Sequence, residues 1–234
     1  KKNLYTVTAT RPEKGNVLEV HLKPDSGEIF PYRAGQFVFL RLYDPQYSPE
    51  EHPFSLISAP QDRDKVALAI KDSGDYTHRF QTLQPGVKAS VEGPHGGMWH
   101  VQEGMHDKTV SMVMFAGGIG ITPMLGILEN SAHLQFPNRM VLVWSLKSQE
   151  EYGFTDKLQS LKDRLPDFRL APFFANESGF LDEGKIDKIL QDNEIRYEAA
   201  EYLLCGPPPF MNAVEAALLK NGIPKDRIHY ETFG

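Results

Sequence analysis

The pattern of apolar and turn-forming residues changes once along the sequence, near residues 100–108. The segments before and after this change predict two different kinds of β-sheet. Before it, short β-rich runs are separated by clusters of Pro, Gly, Asp and Ser, which is the pattern of an antiparallel barrel or sandwich. Helical periodicity is almost absent from this half. The predicted strands are Tyr5–Thr10, Val17–Leu22, Phe37–Leu42, Val66–Ile70 and Lys88–Glu92.

After the change, apolar β-branched runs alternate with helical stretches, and this alternation indicates parallel βαβ units. The predicted strands are Thr109–Ala116, Met140–Trp144, Phe168–Phe174 and Tyr202–Cys205, and the predicted helices are Pro123–Ser131, Thr155–Arg164, Lys185–Asp192 and Pro209–Asn221. We therefore predict an antiparallel β-barrel domain at 1–103, followed by a Rossmann-like α/β domain with a parallel sheet at 104–234.

Composition and charge exclude several classes of protein. Of the 234 residues, 41% are hydrophobic and 24% are charged, which is ordinary globular usage and not that of a disordered chain. A formal net charge of −6 argues against a nucleic-acid partner. The single cysteine, Cys205, excludes a disulfide within the chain and any four-cysteine zinc or iron–sulfur site, so we expect no metal ligand set. No apolar run approaches the ~18–20 residues that cross a bilayer.

The strongest local motif is MFAGGIGITPML, at 114–125, where a strand runs into a glycine-rich turn and then a helix. Glycines let a backbone approach a ligand closely, and the following helix N-terminus offers free N–H groups to phosphates. The spacing is not the full G-x-G-x-x-G fingerprint. A tight turn without a ligand is therefore the alternative interpretation of this motif.

A second motif, YLLCGPPPFM at 202–211, ends a buried strand with Cys205 and Gly206 before another helix. Ligands of open α/β sheets collect at the carboxyl ends of strands, so this strand end and the glycine-rich turn are expected to flank one crevice. The alternative is a core cysteine followed by a turn.

Two motifs in the first half combine hydroxyls, backbone N–H groups and a basic side chain. They are HPFSLISAP at 52–60 and KDSGDYTHRF at 71–80. Such groups suit an anionic phosphate or a ring with hydrogen-bonding edges. From their chemistry alone, both are also compatible with ordinary turns.

The order of these motifs, with EGPHGG at 92–97 and a terminal ETFG, resembles the ferredoxin–NADP reductase superfamily over nearly the whole chain. The first flavin motif of that superfamily is commonly Arg-x-Tyr-Ser. HPFS instead resembles the form found in NADPH oxidases and ferric reductases, and GDYT resembles their second flavin motif. The resemblance implies that the barrel binds FAD non-covalently and that the α/β domain binds NAD(P)H.

The resemblance also implies roles for individual residues. The Ser55 hydroxyl would lie near flavin N5, Cys205 by the nicotinamide, Glu231 near the reacting centre and Phe233 stacked on the flavin ring. The other residues that would border FAD are His52, Pro53, Phe54, Lys71, Gly74, Asp75, Tyr76 and Thr77, of which the last five would hold its pyrophosphate and surroundings. The other residues that would bind the nicotinamide nucleotide are Gly117, Gly118, Gly120, Thr122 and Gly206.

Nucleotide preference is expected to depend on the residues after the strand at 140–144. Ser145 and Lys147 favour the 2′-phosphate of NADPH, whereas Glu150 and Glu151 favour some use of NADH. The alternative for Lys147 is a solvated surface lysine. Valine in place of Gly120 is expected to raise the KM for NADPH while leaving flavin bound.

The resulting hypothesis is a flavin-dependent NAD(P)H dehydrogenase of the NADPH oxidase or ferric reductase type. Reduced flavin would pass single electrons to a haem in a membrane segment before Lys1, and then to oxygen, giving superoxide, or to ferric iron. The chain would then lie at the cytosolic face of the plasma membrane. The alternatives are a soluble reductase that serves a separate acceptor, a non-catalytic NAD(P)H sensor, and a flavin-binding scaffold.

Overall fold

The computed structural model describes residues 2–232, and its first sheet is antiparallel. The six strands are β1 (Lys2–Glu13), β2 (Val17–Pro24), β3 (Phe37–Tyr43), β4 (His52–Ser55), β5 (Val66–Lys71) and β6 (Lys88–His95). Their order is β4-β3-β6-β1-β2-β5, and a bridge between Leu56 and Leu68 connects the two ends of the sheet. The predicted antiparallel barrel is confirmed.

Three elements of this half differ from the sequence-based expectation. Strand β4 was not predicted, because it has four residues and contains Pro53; a proline fits here since β4 is an edge strand. Two short helices that were not predicted also occur in this half, α1 (Asp75–Phe80) and α2 (Trp99–Gly104). Each helix has only six residues, which is too short for an apolar periodicity to emerge.

The second sheet is parallel, as predicted. Its strands are β7 (Ser111–Gly117), β8 (Met140–Leu146), β9 (Phe168–Phe174), β10 (Ala200–Cys205) and β11 (Ile228–Glu231), and the helices that follow them are α3 (Ile121–Leu134), α4 (Thr155–Arg164), α5 (Ala175–Ser178), α6 (Glu183–Asp192) and α7 (Pro208–Lys220). The strand order is β11-β10-β7-β8-β9. From β7 the chain passes through β8 to β9 on one side of the sheet. It then crosses to β10 and β11 on the other side of β7, so a switch point lies between β7 and β10. The short edge strand β11 was not predicted.

The two domains pack directly against each other through α3. Barrel residues Val17, Ile57 and Ala67 belong to the same apolar core as α3 and one face of the parallel sheet. Gly126 on α3 allows this approach, because an added Cβ would collide with the Leu56 carbonyl oxygen of the barrel. Beside this contact, a small cleft lies between the barrel and the segments that follow β7 and β8. Over residues 2–232, no helix is long and apolar enough to cross a membrane.

Candidate functional site

Strand β4 carries two buried polar atoms that make no hydrogen bond. Ser55 is 2% exposed, and its Oγ makes no hydrogen bond. His52 Nε2 is also buried without a hydrogen bond, although it lies 3.5 Å from a carboxylate oxygen of Glu50. Leaving buried polar groups unpaired costs about 1–3 kcal/mol each, so their presence on one strand is a sign of a ligand.

Aromatic rings surround this strand and connect it to α1. The His52 and Tyr76 rings stack with centroids 3.5 Å apart, and Phe54 contacts Phe80 at 5.9 Å. The Tyr76 hydroxyl donates to the Glu50 carbonyl, and burial raises the pKa of Tyr76 to about 12. Pro53 pairs with Phe39 of β3. The structure therefore brings HPFS and the GDYT motif together, although their first residues, His52 and Gly74, are 22 positions apart along the chain.

The loop before α1 is held by Thr77. Its Oγ1 accepts a hydrogen bond from the Ser73 N–H at 2.7 Å and donates to the Gly74 carbonyl at 3.3 Å. Gly74 and Asp75 are exposed at this turn. The turn is thus ordered by the Thr77 hydroxyl while its outer surface remains open to a ligand.

Lys71, at the end of β5, faces the α/β domain. Its Nζ is 3.3 Å from Glu151 Oε1 of the α/β domain, and a Cβ added to Gly118 would lie 4.0 Å from the same Nζ. The resemblance assigned Lys71 to the flavin pyrophosphate. The structure places its ammonium group beside the glycine-rich turn of the other domain.

The four predicted residues of that turn have different surroundings. Gly118 has a φ of +53°, which favours glycine, and faces the cleft. Gly120 does not face the cleft: an added Cβ would collide with the Cys205 carbonyl oxygen, so Gly120 allows the turn before α3 to pack closely against the end of β10. The Thr122 hydroxyl is buried and donates to the Ile119 carbonyl. The expectation for Gly120→Val is therefore corrected, because valine would disturb the packing of the turn and not the cleft alone.

Gly117 and Gly206 form the second close approach at this edge. A Cβ on Gly206 would lie 2.9 Å from Gly117 Cα, and one on Gly117 would lie 2.9 Å from the Phe210 ring. These glycines bring the ends of β7 and β10 together. The two motifs therefore lie side by side at one edge of the sheet, and the expectation that they flank a ligand crevice stays a prediction.

Cys205 and Glu231 end neighbouring strands and are paired in register. Cys205 is fully buried, and burial, helped by the Glu231 carboxylate, raises the pKa of its thiol well above the usual range. Burial also raises the pKa of the Glu231 carboxyl to about 7. The thiol is thus neutral at physiological pH, and the carboxyl titrates there.

Glu231 reaches from the α/β domain to the barrel. A Cβ added to Gly96 would lie 2.9 Å from Glu231 Oε2 and 3.3 Å from the Phe37 ring. Phe37 is the register partner of Ser55 on β4. The Glu231 carboxyl of the α/β domain therefore lies beside barrel strand β3, whose Phe37 pairs with Ser55. Phe233, predicted to stack on the flavin, lies outside the described residues.

The end of β8 carries the residues predicted to choose the nucleotide. Ser145 is part of the strand and pairs with Gly117, while Lys147 follows it and is exposed. The Lys147 N–H donates to Glu151 Oε2 at 3.1 Å. Trp144 was not among the predicted site residues, yet its Nε1 donates to the Gly118 carbonyl at 2.8 Å and fixes the turn. The only sequence feature that could have indicated Trp144 is its position at the end of the predicted strand Met140–Trp144.

The residues on β4 and α1 fit a bound FAD. His52 Nε2 and Ser55 Oγ are buried groups in need of polar partners, which the isoalloxazine ring and the pyrophosphate both supply. The rings of Phe54 and Tyr76 are partly exposed beside them and offer apolar contact.

Two family models cover most of the chain. One, described as "FAD-binding domain", matches residues 2–116, and one, described as "Oxidoreductase NAD-binding domain", matches residues 114–216.

Similar proteins include the flavohemoprotein of Rhizobium meliloti, which is 26% identical over 98% of this chain and 60% of its own length. The ferredoxin reductase component of 3-ketosteroid-9-alpha-monooxygenase from Rhodococcus rhodochrous is 28% identical over 98% of this chain and 64% of its own length. The crystal structure of a ferredoxin NADP+ reductase from Neisseria gonorrhoeae with bound FAD and NADP superposes with a TM-score of 0.81 at 21% identity, covering 100% of this chain and 99% of that one. The chain spans about 60% of the length of the flavohemoproteins that it matches.

The matched domains, the fold and the cleft together define a two-domain oxidoreductase that binds FAD and a nicotinamide nucleotide. Within that class, the fold is similar to that of a ferredoxin NADP+ reductase.

Proposed function

We propose that the chain is the NAD(P)H dehydrogenase module of a haem-reducing protein of the NADPH oxidase or ferric reductase type. FAD would lie along β4 and α1, and NADPH, or NADH with lower preference, at the ends of β7 and β10. Bound FAD supplies two-electron chemistry toward the nicotinamide and one-electron chemistry toward an acceptor. The observation that carries the proposal is the pair of buried polar atoms without a hydrogen bond on β4, His52 Nε2 and Ser55 Oγ, beside the stacked Tyr76 ring.

The chain's own residues position the reactants in this proposal. The unpartnered Ser55 hydroxyl offers a hydrogen bond at the barrel side of the cleft. The neutral Cys205 thiol provides a small apolar contact for the nicotinamide, and Glu231 holds a proton on its carboxyl up to about pH 7. Hydride transfer requires reacting atoms roughly 3–3.5 Å apart, so positioning is the main task.

The second part of the proposal concerns the molecule that accepts electrons from the reduced flavin. HPFS and GDYT support a haem in a membrane segment, with oxygen or ferric iron as the final acceptor and a place at the cytosolic face of the plasma membrane. The similarity to monooxygenase reductase components supports a second candidate, a reductase that serves a separate acceptor protein. Reduction of cytochrome c by the FAD-loaded chain distinguishes two routes of electron transfer. Reduction that superoxide dismutase inhibits indicates superoxide formation, whereas reduction that it does not inhibit indicates direct transfer to the haem protein.

The proposed activity is tested by NADPH consumption with ferricyanide as the electron acceptor. The chain loaded with FAD should oxidise NADPH, and the chain stripped of FAD should not until FAD is restored. Equal rates with and without FAD would contradict the proposal.

The roles of Ser55 and Thr77 predict different defects. Ser55→Ala should slow the reduction of bound flavin by NADPH about 10- to 100-fold, because one transition-state hydrogen bond is lost. Thr77→Ala should mainly lower FAD affinity, because the Ser73–Gly74 turn loses both of its side-chain hydrogen bonds. FAD titration and stopped-flow reduction separate the two effects. Loss of FAD affinity in both variants, with an unchanged reduction rate, would contradict the assignment.

Lys147 is predicted to recognise the 2′-phosphate of NADPH. Lys147→Ala should lower the NADPH over NADH preference by about 1–2 kcal/mol, on the scale of a charge-assisted hydrogen bond. Competition kinetics with both nucleotides give the ratio. Lys162→Ala, an exposed lysine of α4, is the matched control and should leave the ratio unchanged. A Lys147→Ala protein that uses both nucleotides equally less well would mean that Lys147 has no role in the choice.

A further inference from the structure

The β1–β2 hairpin of the barrel, residues 13–17, packs against the β8–α4 loop of the other domain, residues 147–154. A Cβ added to Gly15 would lie 3.3 Å from Glu151 Cα, and one added to Gly153 would lie 3.2 Å from the Lys14 backbone nitrogen. The two glycines therefore allow the backbones of the two domains to touch. The barrel thus contacts the loop that begins with Lys147, the proposed contact of the 2′-phosphate.

Glu13 of the hairpin binds the end of the β8–α4 loop. Its side chain is only 9% exposed, and both of its carboxylate oxygens have a partner. Oε2 accepts a hydrogen bond from the Phe154 N–H at 2.8 Å, and Oε1 lies 3.3 Å from Arg11 Nε. Phe154 directly precedes α4, where N–H groups need acceptors from outside the helix. A carboxylate of the barrel therefore caps a helix of the α/β domain.

The backbone of Phe154 is in an unfavourable conformation. Its φ is +54°, in the left-handed region that bulky residues rarely adopt, and the residue is only 2% exposed. Such a conformation persists only where the surroundings hold it. Because Glu13 accepts from the Phe154 N–H, loss of this carboxylate removes the hydrogen bond that fixes the peptide before Phe154.

Aromatic rings connect the β8–α4 loop to the glycine-rich turn. The ring centroids of Phe154 and Tyr152 lie 6.3 Å and 5.5 Å from that of Trp144. Trp144 Nε1 in turn donates to the Gly118 carbonyl at 2.8 Å. A continuous series of contacts therefore runs from Glu13 of the barrel to the turn at the end of β7.

We propose that Glu13 is a positioning residue for the nicotinamide nucleotide, and that through it the flavin-binding domain takes part in nucleotide choice. Glu13 acts through Phe154 on the loop that carries Lys147, and it does not itself touch the nucleotide. The inference rests on the proposed function, since it takes this loop as the part that selects NADPH. Without Glu13 the loop must be ordered when the nucleotide binds, so the defect falls on nucleotide binding and not on the flavin.

Stopped-flow reduction of the FAD-loaded chain, over a range of NADPH and NADH concentrations, tests this inference because it separates the apparent Kd from the limiting rate. Glu13→Ala should raise the apparent Kd for NADPH about 10-fold and lower the NADPH over NADH preference about 3- to 10-fold. The limiting rate and the FAD affinity should change less than about 2-fold. Glu13→Gln should stay within about 2-fold of the parent chain, because its amide oxygen can still accept from the Phe154 N–H.

Asp107→Ala is the matched control for the loss of a carboxylate that accepts from a backbone N–H. Asp107 Oδ1 accepts from the Thr109 N–H at 2.8 Å, in the segment before β7. This segment lies at the amino end of β7, whereas the glycine-rich turn follows its carboxyl end. Asp107→Ala should therefore lower the free energy of unfolding and leave the apparent Kd of both nucleotides unchanged.

Gly153→Ala is the second variant, and it carries the test if Glu13→Ala does not fold. The added methyl group would lie 3.2 Å from the Lys14 backbone nitrogen and 3.3 Å from Glu13 Oε2, so the hairpin and the loop must separate. This variant should raise the apparent Kd for NADPH by about 3-fold or more at an unchanged limiting rate.

The outcomes distinguish this inference from the proposed function. A parent chain whose flavin is reduced by neither nucleotide contradicts the proposed function itself. A parent chain that is reduced, while folded Glu13→Ala and Gly153→Ala keep its apparent Kd for NADPH and its preference, overturns the inference alone. A Glu13→Ala protein in which only the FAD affinity or the limiting rate falls also overturns it, because the carboxylate would then act within the barrel.

Discussion

Gly120→Ala is expected to destabilise the protein by about 3 kcal/mol or more, because the added methyl group would collide with the Cys205 carbonyl oxygen. The obstacle is backbone, which cannot move without shifting the end of β10. Urea unfolding followed by circular dichroism measures the loss.

Gly118→Ala is the matched control for this prediction. It has space for a methyl group, and its cost is limited to about 1 kcal/mol for a residue with φ of +53°. Gly118→Ala should therefore remain folded and show its defect in nucleotide binding. If Gly120→Ala is as stable as the parent chain, the packing role assigned to Gly120 is wrong.

Glu231 is expected to make stability depend on pH. Its carboxyl has a pKa of about 7 in the folded protein, against an ordinary value near 4.5, so the folded state keeps a proton that the unfolded state has released. Stability should then fall as pH rises from about 4.5 to 7, by up to about 3 kcal/mol, and level off above that range. Glu231→Gln should remove this decline, so its free energy of unfolding should exceed that of the parent chain most at pH 8.

Urea unfolding at about pH 5 and pH 8 measures the Glu231 effect. Glu150→Gln, an exposed glutamate, should follow the parent chain at both values. A difference in stability between Glu231→Gln and the parent chain that is the same at both pH values would show that burial does not perturb this carboxyl.

The architecture was largely predictable because each half has a distinct period. Alternation of strands and helices after residue 108 reproduced α4 (Thr155–Arg164) and β9 (Phe168–Phe174) to the residue. Strand β4 escaped prediction because proline usually argues against a strand, and only its edge position makes Pro53 acceptable. Strand β11 escaped because four residues give too little pattern.

The site was predictable as a set of motifs, but not in its contacts. Sequence order alone suggested that Gly118 and Cys205 flank a crevice, because carboxyl ends of neighbouring parallel strands meet. The role of Gly120 required knowledge of which backbone lies opposite it. The place of Lys71 required the packing of the two domains, since its partner Glu151 is 80 residues away along the chain.

The central claim is that this chain transfers electrons from a nicotinamide nucleotide to a flavin bound on the barrel. The most direct measurement is an anaerobic absorbance titration of the FAD-loaded chain with NADPH. The account predicts that the flavin band near about 450 nm is lost on addition of one equivalent of NADPH, and that NADH does the same less effectively. A chain that retains FAD but keeps its full flavin absorbance after excess NADPH and NADH would contradict it.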